Sequence, residues 1–206
     1  MIQPINPETN SSSEENRTEK HSLPHTGYLA QIIHLNQAAL PLEQLVFHYE
    51  PGMGFNDSGK WWGDKARRST PHEGLDILYL KNRSGTIIRL KEGAPIPALA
   101  DGTLMHTADD FHGQTLFVGH LDLRQGKNIL FSIYAHTMTD LRRGTPVKMG
   151  EKIAAISTIS GTNTPPGHLH LSMAWLPADS PRHLFNWGAL CGPMRRSLID
   201  PMPFLD

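Results

Sequence analysis

A single cysteine, Cys191, in 206 residues excludes an internal disulfide framework and any multi-cysteine zinc site. No apolar run reaches 18 residues, so nothing in the sequence reads as a membrane-spanning helix. Charge of either sign is in no excess: 19 Lys and Arg face 20 Asp and Glu, for a net charge of −1. Without a basic run, the chain gives no footprint for a nucleic acid. The first 22 residues lack the basic n-region and apolar h-region of a signal peptide. They also lack large apolar side chains, so by themselves they cannot offset the entropy of ordering. What is abundant is histidine, 12 in all, beside enough apolar residues (38%) and glycine (18) to bury a core.

The length corresponds to one domain with extensions. Composition divides it into a polar tail over 1–27, an N-terminal extension over 28–60, and a domain over 61–206. Within the extension, LEQLVFHYE is compatible with either a short helix or a strand, and the Gly-rich stretch Pro51–Gly63 reads as a loop or series of turns. From Pro71 to Trp175 the pattern changes. Short runs such as LDILYL, TLFVGH, NILFSIYAH and KIAAIS are rich in β-formers and separated by Gly, Pro, Asn and Asp. They predict an all-β domain, an antiparallel sandwich or barrel-like core with irregular N- and C-terminal extensions. After Pro177 the chain reads as a C-terminal strap ending in SLIDPMPFLD.

Three histidine-bearing pieces stand out. In His168-Leu169-His170, strand alternation puts both imidazoles on one face with Ser172, roughly 6–7 Å apart. Leu169, Leu171 and Met173 then form the opposite, buried face. In His72-Glu73-Gly74-Leu75-Asp76, a fully extended chain would separate His72 from Asp76 by about 13 Å, too far for one ion. Gly74 permits a bend that lets the two converge. In NILFSIYAH, alternation places Leu130, Ser132, Tyr134 and His136 on one face, with His136 at the strand's end, away from the row Ile129, Phe131 and Ile133. Each piece alone has an ordinary structural explanation. Together, two His and one Asp make a three-ligand zinc set that leaves a fourth position for water. Such a metal lowers the water's pKa to about 7, and two further histidines supply proton transfer and charge stabilisation.

With these motifs in this order, the stretch from Trp61 to Trp175 resembles the lysostaphin-type zinc metallopeptidases, a family of peptidoglycan endopeptidases. His72, Gly74 and Asp76 meet its His-x-Gly-x-Asp motif. Ala100-Asp101-Gly102 meets a turn that follows it. Tyr134 and His136 meet Tyr-x-His, while Gly144, Val147 and Gly150 meet Gly-x-x-Val-x-x-Gly. His168, Leu169 and His170 meet His-Leu-His, and Ile199-Asp200-Pro201 with Phe204-Leu205 adds a further echo. The resemblance implies a duplicated-hybrid-motif fold related to lipoyl domains, with His72, Asp76 and His170 binding Zn2+. It implies His136 and His168 as catalytic residues, in roles that can be exchanged. The implied substrate is a peptide of peptidoglycan, cut by a metal-activated water, and the implied location is the cell envelope or outside the cell.

Three departures accompany the resemblance. Ser172 replaces an acidic residue two positions after the final His, which favours an alternative reading: a non-catalytic regulatory or wall-binding protein that retains the fold. Gly167 replaces a proline, and the long connection from Asp76 to Ala100 predicts an altered cleft wall. Elsewhere, Trp61 and Trp62 read as local packing, Arg67 and Arg68 as a solvated pair, His120 as structural and Cys191 as inert. His21, His25, His34, His48, His106, His112 and His183 read as surface residues, with His48 a candidate to occlude the metal.

Overall fold

The computed structural model of the chain describes residues 26–41, 43–159 and 164–205. The polar tail as far as residue 25, with His21 and His25, lies outside the described residues. Its elements are α1 (Tyr28–Asn36), β1 (Leu45–His48), β2 (Leu75–Ile77), β3 (Tyr79–Asn82), β4 (Ile87–Arg89), β5 (Pro95–Pro97) and β6 (Gly102–Asp110). There follow β7 (Gly113–Gln125), β8 (Asn128–Met138), β9 (Pro146–Val147), β10 (Lys152–Ile156), β11 (Leu169–Pro177), α2 (Trp187–Cys191) and β12 (Leu198–Ile199). The all-β expectation holds. One sheet runs in the order β12-β11-β8-β7-β6-β9, with β2 added to β11 and the pair β10 and β5 to β8. A smaller sheet, β1-β3-β4, stands beside it, and all these strand pairs are antiparallel.

Alternation along the strands builds two cores. On β8, Leu130 and Tyr134 enter one apolar cluster with Leu116, Val118, Leu169, Leu171 and Met173. Ile129, Phe131 and Ile133 enter the other with Phe117, Ala174 and Leu176. Both faces of the central strands are therefore covered, which is why their sequences read as continuous apolar runs. The first face is closed by α1, whose Tyr28 and Ile32 sit four residues apart on its buried side. The second is closed by the segment after Pro177, through Phe185, Ala189, Leu190 and Met194. Phe117 and Phe131 are fully buried, each worth about 2–3 kcal/mol of transfer free energy.

Two readings of the extension are resolved here. LEQLVFHYE supplies strand β1, and α1 precedes it, a helix to which the sequence reading assigned no element. Strands β3 and β4, in the connection between Asp76 and Ala100, pair with each other, and β3 pairs on its other edge with β1. No helix among the described residues is long and apolar enough to cross a membrane.

Candidate metal centre

The first two site residues are brought together by strand pairing. Asp76, in the middle of β2, lies directly across the ladder from His170 of β11. Direct cross-strand neighbours hold their Cβ atoms about 5 Å apart, so register alone puts carboxylate and imidazole side by side. The approach of β2 depends on Gly74. A Cβ there would stand 2.3 Å from the Leu171 carbonyl oxygen and 2.7 Å from Ser172 Oγ.

His72 comes from outside the sheet. The Asp57 carboxylate accepts the Gly52 and Gly54 N–H groups at 2.9 and 2.8 Å, which shapes the Gly-rich loop. That loop in turn accepts the His72 backbone N–H on Asp57 O and the His72 ring Nδ1–H on Gly54 O, at 2.9 and 2.8 Å. The turn series read from Pro51–Gly63 is thus a cradle for His72.

Three ligand atoms converge as a result. His72 Nε2 is 3.1 Å from Asp76 Oδ1 and 3.1 Å from His170 Nδ1, and His170 Nδ1 is 2.9 Å from Asp76 Oδ1. A tetrahedral zinc with ligands at about 2.0–2.1 Å spaces its donors roughly 3.3–3.4 Å apart, close to this triangle. Hydrogen-bond chemistry supports the fit. Because a carbonyl only accepts, Gly54 O fixes the His72 proton on Nδ1 and leaves a lone pair on Nε2. Ser172 Oγ lies 2.9 Å from His170 Nε2 and can take that proton, leaving the Nδ1 lone pair inward. Two lone pairs and a carboxylate oxygen then face one another, an arrangement that a cation satisfies. Burial pushes His170 down to about 4 against the pull of Asp76, so the ring is neutral, as a metal ligand must be.

Asp76 uses its second oxygen for orientation. Trp61 Nε1–H donates to Oδ2 at 2.6 Å, and Arg68 Nη2 stands 3.5 Å from the same atom. Burial raises this carboxyl, but the surrounding histidines outweigh it and hold Asp76 well below the usual range. Arg68 is therefore not half of a solvated pair, unlike exposed Arg67. Its guanidinium lies over the Trp62 ring and is fixed by the carbonyls of Gly52 and Gly59. Trp61 serves the site as well as packing with Met53 and Leu78. Its signal in the sequence was only that an indole N–H needs a partner when buried.

His168 Nδ1–H donates to Pro166 O at 2.8 Å, which leaves Nε2 free to accept, 3.3 Å from Asp76 Oδ1. Its predecessor has no room for a side chain: a Cβ on Gly167 would stand 2.6 Å from Glu92 Cγ. His136 reaches the cluster by a different route from the one that alternation predicts. Tyr134 faces the α1 side, and so would His136 in a regular strand. Instead β8 carries one extra residue between the pairs Leu116↔Tyr134 and Gln114↔Thr137, and His136 has φ 61°. This β-bulge turns the His136 ring toward His168, 5.0 Å between centroids. A left-handed backbone at a non-glycine residue costs about 1–3 kcal/mol and marks a site where the surroundings impose it. Burial lowers the ring's pKa, and the Asp110 carboxylate opposes that shift.

A cavity of about 240 Å³ opens over these groups. Trp187 of α2 forms one wall, with ring centroids 5.1 and 5.0 Å from His136 and His170. Phe111 and His112 at the β6–β7 turn form another, so His112 is not a surface residue. Nor is His106, half-buried against Phe117 and Phe185. His34 and His183 are exposed as expected, and His48 faces Tyr79, not the cavity. The expected altered wall from the Asp76–Ala100 connection is not found, since no residue from 77 to 99 lines the cavity. Cys191 donates to Glu73 Oε1 and is pushed up to about 12, chiefly by burial, which leaves it an unreactive thiol. His120 is structural, held by Asp101 O and Ser132 Oγ.

Residues 81–180 match the model of Peptidase family M23. The match takes in His136, His168 and His170 and begins after His72 and Asp76. Among solved structures, the chain is similar to the catalytic domain of the antimicrobial peptidase lysostaphin from Staphylococcus simulans, at 18% identity and a TM-score of 0.48, covering 76% of this chain and 92% of that one. It is similar to LytU at 20% identity and a TM-score of 0.48, over 80% and 90% of the two chains. A zinc-containing peptidase from Vibrio cholerae matches at 23% identity and a TM-score of 0.40, over 65% and 33%. No curated protein matches the chain in sequence.

Proposed function

We propose that this chain, whose residues 81–180 match the model of Peptidase family M23, is a zinc-dependent endopeptidase that hydrolyses peptide bonds in the stem peptides or cross-bridges of peptidoglycan. The observation that carries this reading is the convergence of His72, Asp76 and His170, whose ligand atoms all lie within 4.8 Å of one another at the foot of a cavity. Zinc held there would act as a Lewis acid, polarising a carbonyl and lowering the pKa of a water to about 7.

The remaining steps fall to the chain's own residues. His168 is the proton acceptor: its Nδ1–H is committed to Pro166 O, so the Nε2 lone pair is available beside Asp76. A positioned base of this kind contributes about 10²–10⁴-fold. His168, protonated on Nε2 by that step, returns the proton to the leaving amine, and His136, on its other side, offers a second imidazole nitrogen to the substrate for proton transfer. Trp61 and Arg68 orient Asp76 through its second oxygen, as partners of metal-binding groups commonly do. Trp187 and Phe111 shield the reacting groups from bulk water, where these electrostatic contacts would weaken.

The non-catalytic alternative drew its support from Ser172. Ser172 Oγ stands 2.9 Å from His170 Nε2, so the position an acidic residue would fill is occupied by a hydroxyl that can accept the same proton. The deciding experiment is metal analysis of the purified protein together with release of peptides from purified cell walls. The wild type is expected to hold about one zinc and to hydrolyse wall peptides, and His170→Ala is expected to lose both. Wild-type hydrolysis by His170→Ala overturns the assignment.

A further inference from the structure

The β-bulge that delivers His136 leaves a problem in its backbone. Ladder pairing between β8 and β11 ends at Ala135↔His170, and pairing with β7 skips from Tyr134 to Thr137. The His136 N–H therefore has no strand partner although the residue is buried, and an orphaned buried N–H is rare. The partner it finds is a side chain. Asp110 Oδ2 accepts the His136 N–H at 3.0 Å and the Thr115 hydroxyl at 2.8 Å. Asp110 Oδ1 accepts the His112 N–H at 2.7 Å and faces His136 Nδ1 at 3.5 Å. This carboxylate has no exposed side-chain surface. It ties the turn after β6 to the bulge and meets the ring of the same residue.

We infer that Asp110 is a positioning residue: it holds the left-handed backbone of His136 and directs the ring's Nδ1–H toward itself, so that Nε2 is the atom offered to substrate. The inference rests on the endopeptidase reading for its catalytic consequence, but not for its geometry. A neutral imidazole has one N–H, and a carboxylate beside Nδ1 selects which nitrogen carries it. An orphaned N–H and a strained φ together would let the bulge relax, returning His136 toward the face that Tyr134 occupies. Asn at this position keeps one acceptor for the backbone N–H and loses the charge that selects the tautomer, whereas Ala keeps neither.

The test is a double-mutant cycle with hydrolysis of a soluble wall peptide as readout, zinc content measured on every variant. Asp110→Ala is expected to lower kcat about 100-fold, in the range of a lost acid–base group, with KM within about twofold and zinc unchanged. Asp110→Asn is expected to fall between the two and guards against a folding defect in the alanine variant. In the His136→Ala background, Asp110→Ala is expected to cost less than about twofold more, because Asp110 acts through His136. A purely structural residue would multiply the losses, and that result overturns the inference, as does a wild-type kcat in Asp110→Ala. Independently, 15N-edited imidazole spectra are expected to show His136 protonated on Nδ1 in the wild type and shifted toward Nε2 in Asp110→Asn. A wild-type ring protonated on Nε2 overturns it too. If the wild type hydrolyses no wall peptide, the endopeptidase reading fails and the imidazole spectra alone decide the role of Asp110.

Discussion

Two groups of buried histidine chemistry lie on opposite faces of the same strands, and they behave differently. On the α1 side, His120 Nδ1–H donates to Asp101 O at 2.8 Å, and Ser132 Oγ lies 2.8 Å from His120 Nε2 and 2.9 Å from Tyr134 Oη. The Leu99 N–H donates to Tyr134 Oη at 2.8 Å. Each ring nitrogen has a fixed protein partner, and no residue of this group lines the cavity above the metal centre. On the other side, His72, His168 and His170 each commit one nitrogen outward, to Gly54 O, Pro166 O and Ser172 Oγ. The other nitrogen of each is turned toward Asp76 Oδ1 with no proton left to share. Burial of histidine is common to both regions. What separates a structural cluster from a reactive one is whether the inward lone pairs are already satisfied.

The largest expected effect comes from breaking the unsatisfied cluster. Asp76→Asn keeps the side chain's shape and its register opposite His170 but removes the charge that a divalent ion needs. A bound metal supplies several kcal/mol of transition-state stabilisation, so wall-peptide hydrolysis should fall by roughly three orders of magnitude. Zinc measured by mass spectrometry should drop to background. Retention of one zinc with full activity would erase the distinction between the two clusters.

Breaking the satisfied cluster should have the opposite profile. Ser132→Ala removes the hydroxyl between His120 and Tyr134 and leaves buried polar atoms unpaired, a loss of about 1–3 kcal/mol in urea unfolding. Zinc content and kcat should stay at wild-type values. A metal loss in this variant would mean that the two faces communicate. A smaller effect sharpens the comparison from the metal side. Ser172→Ala removes the outward partner of His170 Nε2, and zinc affinity, measured by chelator competition, should weaken about tenfold. An unchanged affinity would show that Ser172 does not orient the ligand.

The sequence made these two regions legible to different degrees. Asp76 and His170 were named through the motifs of the resemblance, and only the strand pairing explains why they face each other. His168 was placed on the face of His170 by strand alternation. His136 was identified by its motif but placed on the wrong face, because a bulge is one extra residue in the register and leaves no composition signal when the left-handed position is not glycine. Arg68 and Trp61 were misjudged for another reason. Their role depends on where a turn-rich loop folds back, and local pattern says nothing about which carboxylate a guanidinium or indole N–H will meet. Asp110 went unnoticed because a hairpin-end aspartate has an ordinary turn function, and its second function arises only once β8 bulges beside it. Helix α1 was missed because its apolar stretch carries no N-cap side chain: Gly27 precedes it in the left-handed conformation, with no capping hydrogen bond.

The smallest expected effect is a pH dependence that belongs to the satisfied side. Burial lowers the pKa of His120 despite the opposing pull of Asp101, so the folded state resists a proton that the unfolded chain takes up near the ordinary value of about 6.5. Between those two values the unfolded state binds more protons, and stability therefore rises with pH. The stabilisation is fully present above about pH 6.5 and is lost as pH falls toward the lowered folded value. The other buried histidines contribute slopes of their own, so the informative quantity is a difference. Urea unfolding of wild type and His120→Gln, each at pH 7.5 and 5.5, should show a smaller acid loss in the variant, because Gln carries no titrating ring. Equal losses in the two proteins would show that His120 takes up its proton without unfolding, and that Asp101 offsets the burial of its charge.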